Sequence, residues 1–311
     1  MERLYIILRD FGYTGLKQFL LDVKLKGIEI VPYAVNGDSL SGEDPVKDQE
    51  KGAMIPAECK TGSYLVTDCM RGILFAREKG MGYVYYEEAG TDFRNGPVNP
   101  SKASDETGMD TTAVDATDAE CIIQGFDELD ADFITKMYQR HVHLPWTILR
   151  TERLTLREIT PADVDRLYEI YAEPSVTLYT EDLFENREDE LAYTESYIKN
   201  QYGFFGYGLW IVEETDTGRV VGRAGISNRE GYDEAELGYV IEKERQNRGY
   251  ATEVCRAIVE YARSVLMMSG LNCFVRQENV PSIRLCRRLG FEHLEDTEIN
   301  GILMNRYHMD L

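Results

Sequence analysis

Apolar residues follow two different rhythms along the chain. In the first half, short apolar runs alternate with amphipathic stretches. Leu4–Leu8 is an unbroken apolar run, and Leu16, Phe19, Leu20 and Val23 then share one face of a helix that Lys26-Gly27 ends. Ile28–Val35 predicts a second strand, and Pro32 inside it, unable to donate to a ladder, puts that strand at an edge or a bulge. Ser63–Thr67, Asp68–Lys79 and Gly82–Tyr86 predict strand, helix and strand, with Asp68 as the helix N-cap. Residues 89–120 show no period of 2 or 3.6 and are rich in Gly, Pro, Ser, Thr and Asp, which predicts a long surface loop. Cys121–Gly125 and Asp132–His141 predict a last strand and helix, and Pro145-Trp146 a linker. Strands alternating with helices imply an α/β unit over residues 1–145, with a Rossmann-like parallel sheet.

From Leu154 the pattern changes to a second unit, residues 146–311. Leu154–Ile159 alternates as a strand. Thr160-Pro161-Ala162-Asp163 has the cap, proline and acid of a helix start, and Val164, Leu167, Tyr168 and Tyr171 form its buried stripe. A helix over Arg187–Gln201 and a hairpin, Leu209–Glu214 with Arg219–Ser227 across the turn Asp216-Thr217-Gly218, come next. Ala235–Ile241 predicts a strand, Tyr250–Met268 a long helix, Leu271–Arg276 a strand and Pro281–Leu289 a short helix; Phe291–Glu295 and Ile302–Met309 close the sheet.

Composition narrows the partners. The 311 residues suit about two domains. With 34 Lys and Arg against 55 Asp and Glu, the net charge is −21, which argues against nucleic acid and anionic membrane surfaces and would attract amines. No apolar run nears the roughly 20 residues that span a bilayer, and the opening residues carry too short an apolar stretch for a signal peptide. Six scattered cysteines without a CxxC pair read as thiols of a reducing cytoplasm. His141 and His143 have no Cys or acidic partner at metal-site spacing, so no metal is expected.

The strongest chemical signal is the junction from Glu236 to Thr252: a strand, a short turn and the start of the long helix. Gly249 lets a ligand approach the backbone, the free amides and dipole of the helix start favour an anion, and Arg245 and Arg248 add positive charge. A pyrophosphate would fit; a glycine cap or tight packing contact is the other reading. Neither a GxxxxGK[ST] loop nor a GxGxxG fingerprint occurs.

Gln246-x-x-Gly249-x-Ala251 resembles the Q/R-x-x-G-x-G/A motif of the GNAT superfamily of N-acetyltransferases. The likeness covers residues 147–311 and is closest to the subgroup of ribosomal-protein N-terminal acetyltransferases. It is carried also by Thr151–Arg157, by Ala235–Tyr239, by Asn279-x-x-Ser282 and by Leu289-Gly290-Phe291. It implies an α+β fold with a mixed, mostly antiparallel sheet, and acetyl-CoA as cofactor. Backbone amides of Gln246, Asn247, Arg248, Gly249, Tyr250, Ala251 and Thr252 would hold the pyrophosphate. The main chain of Tyr239, Val240 and Ile241 on a splayed strand would pair with the pantetheine arm, one amide near Val240 would polarise the thioester, and Asn279 would touch the arm or the backbone beside it.

Glu236 is the acid–base candidate, since a protonated amine must lose a proton before it can attack a thioester; a salt bridge to Arg223 or Arg276 is its structural alternative. Cys286 stands where many members carry a tyrosine that protonates the leaving thiolate; it is either that acid or a small core residue. Tyr179, Glu181, Asp182, Tyr207 and Trp210 are expected to wall the acceptor pocket, a mix that suits a cation. The acceptor would be a primary amine, on a small molecule or a protein N-terminus. A non-catalytic acyl-CoA-binding regulatory protein is the second functional reading. In the first unit, residues 63–87 faintly resemble the end of a HAD-type hydrolase, with Asp68 at one acidic position; Leu8-Arg9-Asp10-Phe11 replaces its DxDxT nucleophile, so no phosphatase is expected.

Overall fold

The computed structural model describes residues 1–34, 62–87, 119–127, 129–180 and 182–311. They fall into two compact units, Met1–Leu144 and Pro145–Leu311.

In the first unit β1 (Arg3–Leu8), α1 (Leu16–Leu25), β2 (Glu29–Ala34), β3 (Ser63–Thr67), α2 (Met70–Lys79), β4 (Tyr83–Tyr86), β5 (Cys121–Ile123) and α3 (Ala131–His141) follow one another. The five strands are all parallel, in the order β2-β1-β3-β4-β5. Near-continuous apolar strands follow from burial on both faces: Leu4, Ile6 and Leu8 pack on α1 and α3, while Tyr5 and Ile7 pack on the side of α2. Pro32 sits on the edge strand β2, where its missing N–H breaks no ladder.

Asp68 does not cap α2. The N-cap is Cys69, and the buried Asp68 carboxylate accepts from the Arg9 backbone N–H (2.9 Å), Arg9 Nε (3.3 Å) and the Tyr13 hydroxyl (2.6 Å). It ties two chain segments together instead of starting a helix. His141 is a packing residue, its Nδ1 2.8 Å from Glu120 and its Nε2 3.3 Å from the Gly80 carbonyl. Of the loop expected at 89–120, all but Ala119 and Glu120 lie outside the described residues.

The second unit carries β6 (Thr147–Arg150), β7 (Leu154–Arg157), α4 (Val164–Tyr171), α5 (Pro174–Thr177), α6 (Arg187–Tyr197), α7 (Gly203–Phe205), β8 (Leu209–Glu214), β9 (Val220–Ser227), β10 (Glu236–Ile241), α8 (Tyr250–Ser264), β11 (Gly270–Arg276), α9 (Val280–Leu289), β12 (Glu292–Ile299) and β13 (Ile302–Asp310). Its eight strands run β12-β13-β11-β10-β9-β8-β7-β6, and every neighbouring pair is antiparallel except β10 with β11.

Local rules explain most boundaries here. The Asp163 carboxylate accepts from the Thr160 N–H (2.7 Å) and hydroxyl (2.8 Å), closing the turn before α4, and takes both Nη groups of Arg157. Ile170 completes the buried stripe of α4 in place of Tyr168, whose hydroxyl donates to the Phe184 carbonyl at 2.6 Å. The helix expected over Arg187–Gln201 is α-helical to Tyr197 and then widens into a π turn, Ile198–Tyr202. That turn puts Tyr197 and Tyr202, five residues apart, on one face, where both hydroxyls bond the Leu209 backbone (2.7 and 2.5 Å). α8 stops at Ser264, four residues before its expected end, because the chain turns through a left-handed Met267 and returns Leu266 and Met268 to the core.

Candidate active site

β10 and β11 share one rung, Glu236 opposite Asn272. Asn272 N–H donates to Ala235 O, and beyond that rung the strands part. A strand that loses one neighbour exposes every second peptide group. Glu242 N–H donates to Val221 O in β9, whereas Ala235 O faces β11. Even-numbered positions of β10 therefore point their backbone at β9 and odd ones at the opening. The Ile241 carbonyl on that side accepts from Gln246 Nε2 at 3.0 Å. The Tyr239 N–H and C=O face the opening, whereas Val240 turns its own N–H to β9.

The side chains sort onto two faces by the same alternation. Leu237 and Tyr239 point towards α8 and α9, with the Tyr239 hydroxyl 2.8 Å from Ser282 Oγ, and burial pushes that hydroxyl well above its usual titration range. Val240 points the other way, into a cluster with Ile170, Tyr171 and Val176 of α4 and α5. Glu236 shares the Val240 face.

The turn after β10 is built from left-handed residues. Asn247 has φ 59° and Gly249 has φ 84°, and Gly249 is the N-cap of α8. The first helical N–H to bond back is that of Glu253, to Gly249 O. The amides of Tyr250, Ala251 and Thr252 are thus free of backbone partners at the positive end of a 15-residue helix. A Cβ on Gly249 would meet nothing closer than Arg153 Nη2 at 3.4 Å, so the cradle is open.

Charges around this turn are arranged differently from the sequence expectation. Arg245 bonds Glu214 at 2.7 Å, which with the Tyr250 hydroxyl holds that carboxylate down to about 2. Buried Glu242, contacted by Arg166 and Arg219, anchors the start of the turn. Glu253 is neutralised by Arg153, whose Nη1 also donates to the Arg248 carbonyl. Arg248 itself is exposed and makes no ion pair among the described residues, and Arg288 reaches Thr252 Oγ1 at 3.4 Å. Arg248 and Arg288 are the cations available to an anion here. Arg288 escaped sequence reasoning because it comes from α9, 36 residues further on.

Asn279 caps α9, its Oδ1 accepting from the Ser282 N–H at 3.3 Å. Cys286 is buried beside Cys273, with Cys255 in the same core. Burial drives Cys273 well up, and the hydrogen bond it gives Cys286 pulls the latter below the usual thiol value.

On the opposite face, Glu236 is held by neither Arg223 nor Arg276. Arg229 grips it with two bonds, Nε to Oε2 at 2.6 Å and Nη2 to Oε1 at 2.8 Å, and Ser227 Oγ adds a third at 3.2 Å. Gly225 and Gly238 lie opposite each other in the ladder beside it, and a Cβ on Gly238 would only graze Leu209 at 3.7 Å. The bare patch is limited to Gly238, because a Cβ on Gly225 would run into the Gly208 carbonyl. Tyr207 packs against the core on the other face, its hydroxyl donating to Asn228 at 2.7 Å, and Tyr179 reaches the Glu278 carbonyl at 3.4 Å. Asp182 accepts from the Leu183 N–H, and Glu181 lies outside the described residues. Trp210 does not belong to the expected pocket wall. It is fully buried on the other face, edge-on to Tyr261 of α8, because strand alternation turns it towards the core. Among the described residues no cluster of His, Cys, Asp and Glu has the makings of a metal site.

Comparison with known proteins places this architecture. The acetyltransferase (GNAT) domain model matches residues 153–292. An uncharacterized N-acetyltransferase, p20, of Bacillus licheniformis is 31% identical over 175 residues, 52% of this chain and 94% of the relative. The uncharacterized N-acetyltransferase YoaA of Bacillus subtilis is 30% identical over 147 residues, 47% of this chain and 82% of the relative. An acetyltransferase structure from Agrobacterium tumefaciens is 28% identical, with 52% of this chain and 94% of that one covered and a TM-score of 0.44. Matched by the family model across the splayed strands, and to these relatives over most of their own length, the chain belongs to the GNAT superfamily and is an acetyltransferase.

Proposed function

We propose that residues 146–311 bind acetyl-CoA and pass its acetyl group to a primary amine by direct attack. The observation that carries the reading is the conjunction of two backbone features: an opening beside Tyr239 and free amides at the start of α8 a few residues later. The open Gly249 cradle and the uncommitted Arg248 and Arg288 suit a pyrophosphate. Gln246, by bonding Ile241 O, fixes the path from strand to turn.

When bound, acetyl-CoA supplies a thioester at which a C–N bond forms as the C–S bond breaks. The Tyr239 N–H, on the opening side, is placed to donate to the carbonyl oxygen as it gains charge. Glu236 takes the amine proton at a carboxylate oxygen, directly or through water. Arg229 occupies one lone pair on each oxygen and Ser227 Oγ the second on Oε1, which fixes the group's orientation; the remaining lone pair, on Oε2, accepts the proton. Asn279 acts by capping α9 and so placing Ser282 against Tyr239. A reducing, cytoplasmic setting belongs to the same proposal and rests on the scattered thiols.

Cys286 serves as packing in this scheme. A thiol leaving group has a free pKa of about 8.5 and departs without needing a strong acid. Cys286→Ala should therefore leave kcat within a few-fold while lowering stability by about 1 kcal/mol for the lost core volume. A drop in kcat of roughly 10²-fold, the size expected of an acid–base group, would make Cys286 the acid. The cofactor reading itself is tested by calorimetry with acetyl-CoA and by thiol release in the presence of amines. Absence of binding by the intact chain would sink it.

A further inference from the structure

We propose that the acceptor amine also bears a carboxylate, and that Arg223 is the specificity-determining residue that takes it. This rests on the acetyl-transfer reading above and names the substrate class of that same site. Arg223 lies on β9 in register with Val240, on the face that carries Glu236. Its Nε donates to the Tyr171 hydroxyl at 2.7 Å, and its guanidinium stands 5.1 Å from the centre of the Tyr171 ring. Among the described residues it makes no ion pair, although the Glu190 carboxylate is close enough to favour its charged form. A half-buried guanidinium with two uncommitted terminal nitrogens is suited to a planar, two-oxygen anion.

A second arginine faces the same space. Cys273 and Val275 of β11 pack in the core with α8, so Phe274 and Arg276 point to the opposite face, where Arg229 stands over the Phe274 ring. Arg276 and Val240 both lie four residues beyond the last shared rung of the two strands. Arg276 Nε is buried and has no hydrogen-bond partner among the described residues. Two arginines that make no ion pair among the described residues thus stand on either side of the opening, near Gly238.

Three acids of the described residues near this face already have partners. Glu236 is gripped by Arg229, buried Glu190 accepts from the Phe184 N–H at 3.0 Å, and Asp182 accepts from Leu183. A polycationic amine would meet unpaired arginines and find these carboxylates occupied. This reverses the cationic acceptor that the acidic and aromatic residues of 179–185 suggested. An amine that is also an acid, such as an amino acid or short peptide, places its nitrogen towards Glu236 and its carboxylate on Arg223.

The test uses the full chain, acetyl-CoA, and a panel of amino acids, dipeptides and tripeptides, each as free acid and as C-terminal amide, with a linear polyamine alongside. Thiol release is compared at equal fractions of neutral amine. The expected result is a kcat/KM roughly 10–100-fold higher for at least one free acid than for its amide, the size of a charge-assisted pair. Arg223→Met should bring the acid-to-amide ratio of kcat/KM down towards one, chiefly by raising KM for the acid. The wild-type comparison decides even where the variant does not fold. Acetyl-CoA binding with amides or polyamine used as well as acids, or with no acid used, overturns the carboxylate assignment and leaves the cofactor reading standing. Failure to bind acetyl-CoA overturns both.

Discussion

Glu236→Gln is expected to lower kcat/KM for the amine roughly 10²–10⁴-fold, the usual range for a general acid–base group, with acetyl-CoA affinity unchanged. The amide keeps the shape of the side chain and can still meet Arg229 through its oxygen, but cannot accept a proton. In the variant, only amine that is already neutral in solution reacts. Below the pKa of a lysine-like amine, about 10.4, that neutral fraction grows about tenfold per pH unit. The gap between wild type and variant should therefore close as pH rises from 7 towards 10. The alternative role, holding Arg229 in place, predicts a loss of the same size at every pH, because the guanidinium stays charged throughout. A pH-rate profile of both proteins separates the two. A flat ratio across that range would reassign Glu236 from proton acceptor to anchor.

What was legible in the sequence was local. Leu4–Leu8, the stripe of α1 and the strand–turn–helix from Glu236 to Thr252 are each set by neighbouring residues, and Gly249 and Asn247 announce a turn that needs left-handed backbone. The splay between β10 and β11 is not local. Nothing in Glu236–Ile241 says that pairing with β11 stops after one rung, and so nothing says which amide faces the opening. Pairings of charge were the least legible. The sequence offers Glu236 two arginines, Arg223 and Arg276, and the one that holds it is neither: Arg229 is brought there by the loop between β9 and β10 that folds it back over Phe274. Arg245 looked like a phosphate ligand and is bound to Glu214, 31 residues earlier, across the sheet. In the sequence Trp210 follows the aromatic stretch Gly203–Gly208, which suggests a pocket wall. The strand period of two decides its face, and both faces of this sheet are covered by helices, so an apolar position alone does not reveal which side is core. Asp68 shows the same limit in the first unit: it begins a helix in the sequence, yet Arg9 and Tyr13, more than 50 residues earlier, claim its oxygens.

Gly249→Val should weaken acetyl-CoA binding roughly 10²-fold or more. The argument is conformational, since the added Cβ has room: its nearest neighbour is Arg153 Nη2 at 3.4 Å. At φ 84° a β-branched residue pays roughly 1–2 kcal/mol or more to remain left-handed. It escapes that strain by rotating the peptides on either side, and these peptides carry the amides that open α8. Each charge-assisted hydrogen bond lost to a phosphate costs about 1.5–3 kcal/mol more, and every 1.4 kcal/mol is about tenfold in affinity. Gly301→Val is the matched control. Gly301, in the hairpin between β12 and β13, has φ 78° and nothing within 4 Å of a built Cβ, so it carries the same strain away from the turn. The two variants should lose similar stability in denaturant, while Gly249→Val alone loses cofactor affinity by calorimetry. If Gly249→Val binds acetyl-CoA as tightly as the control does, the pyrophosphate does not sit at the start of α8.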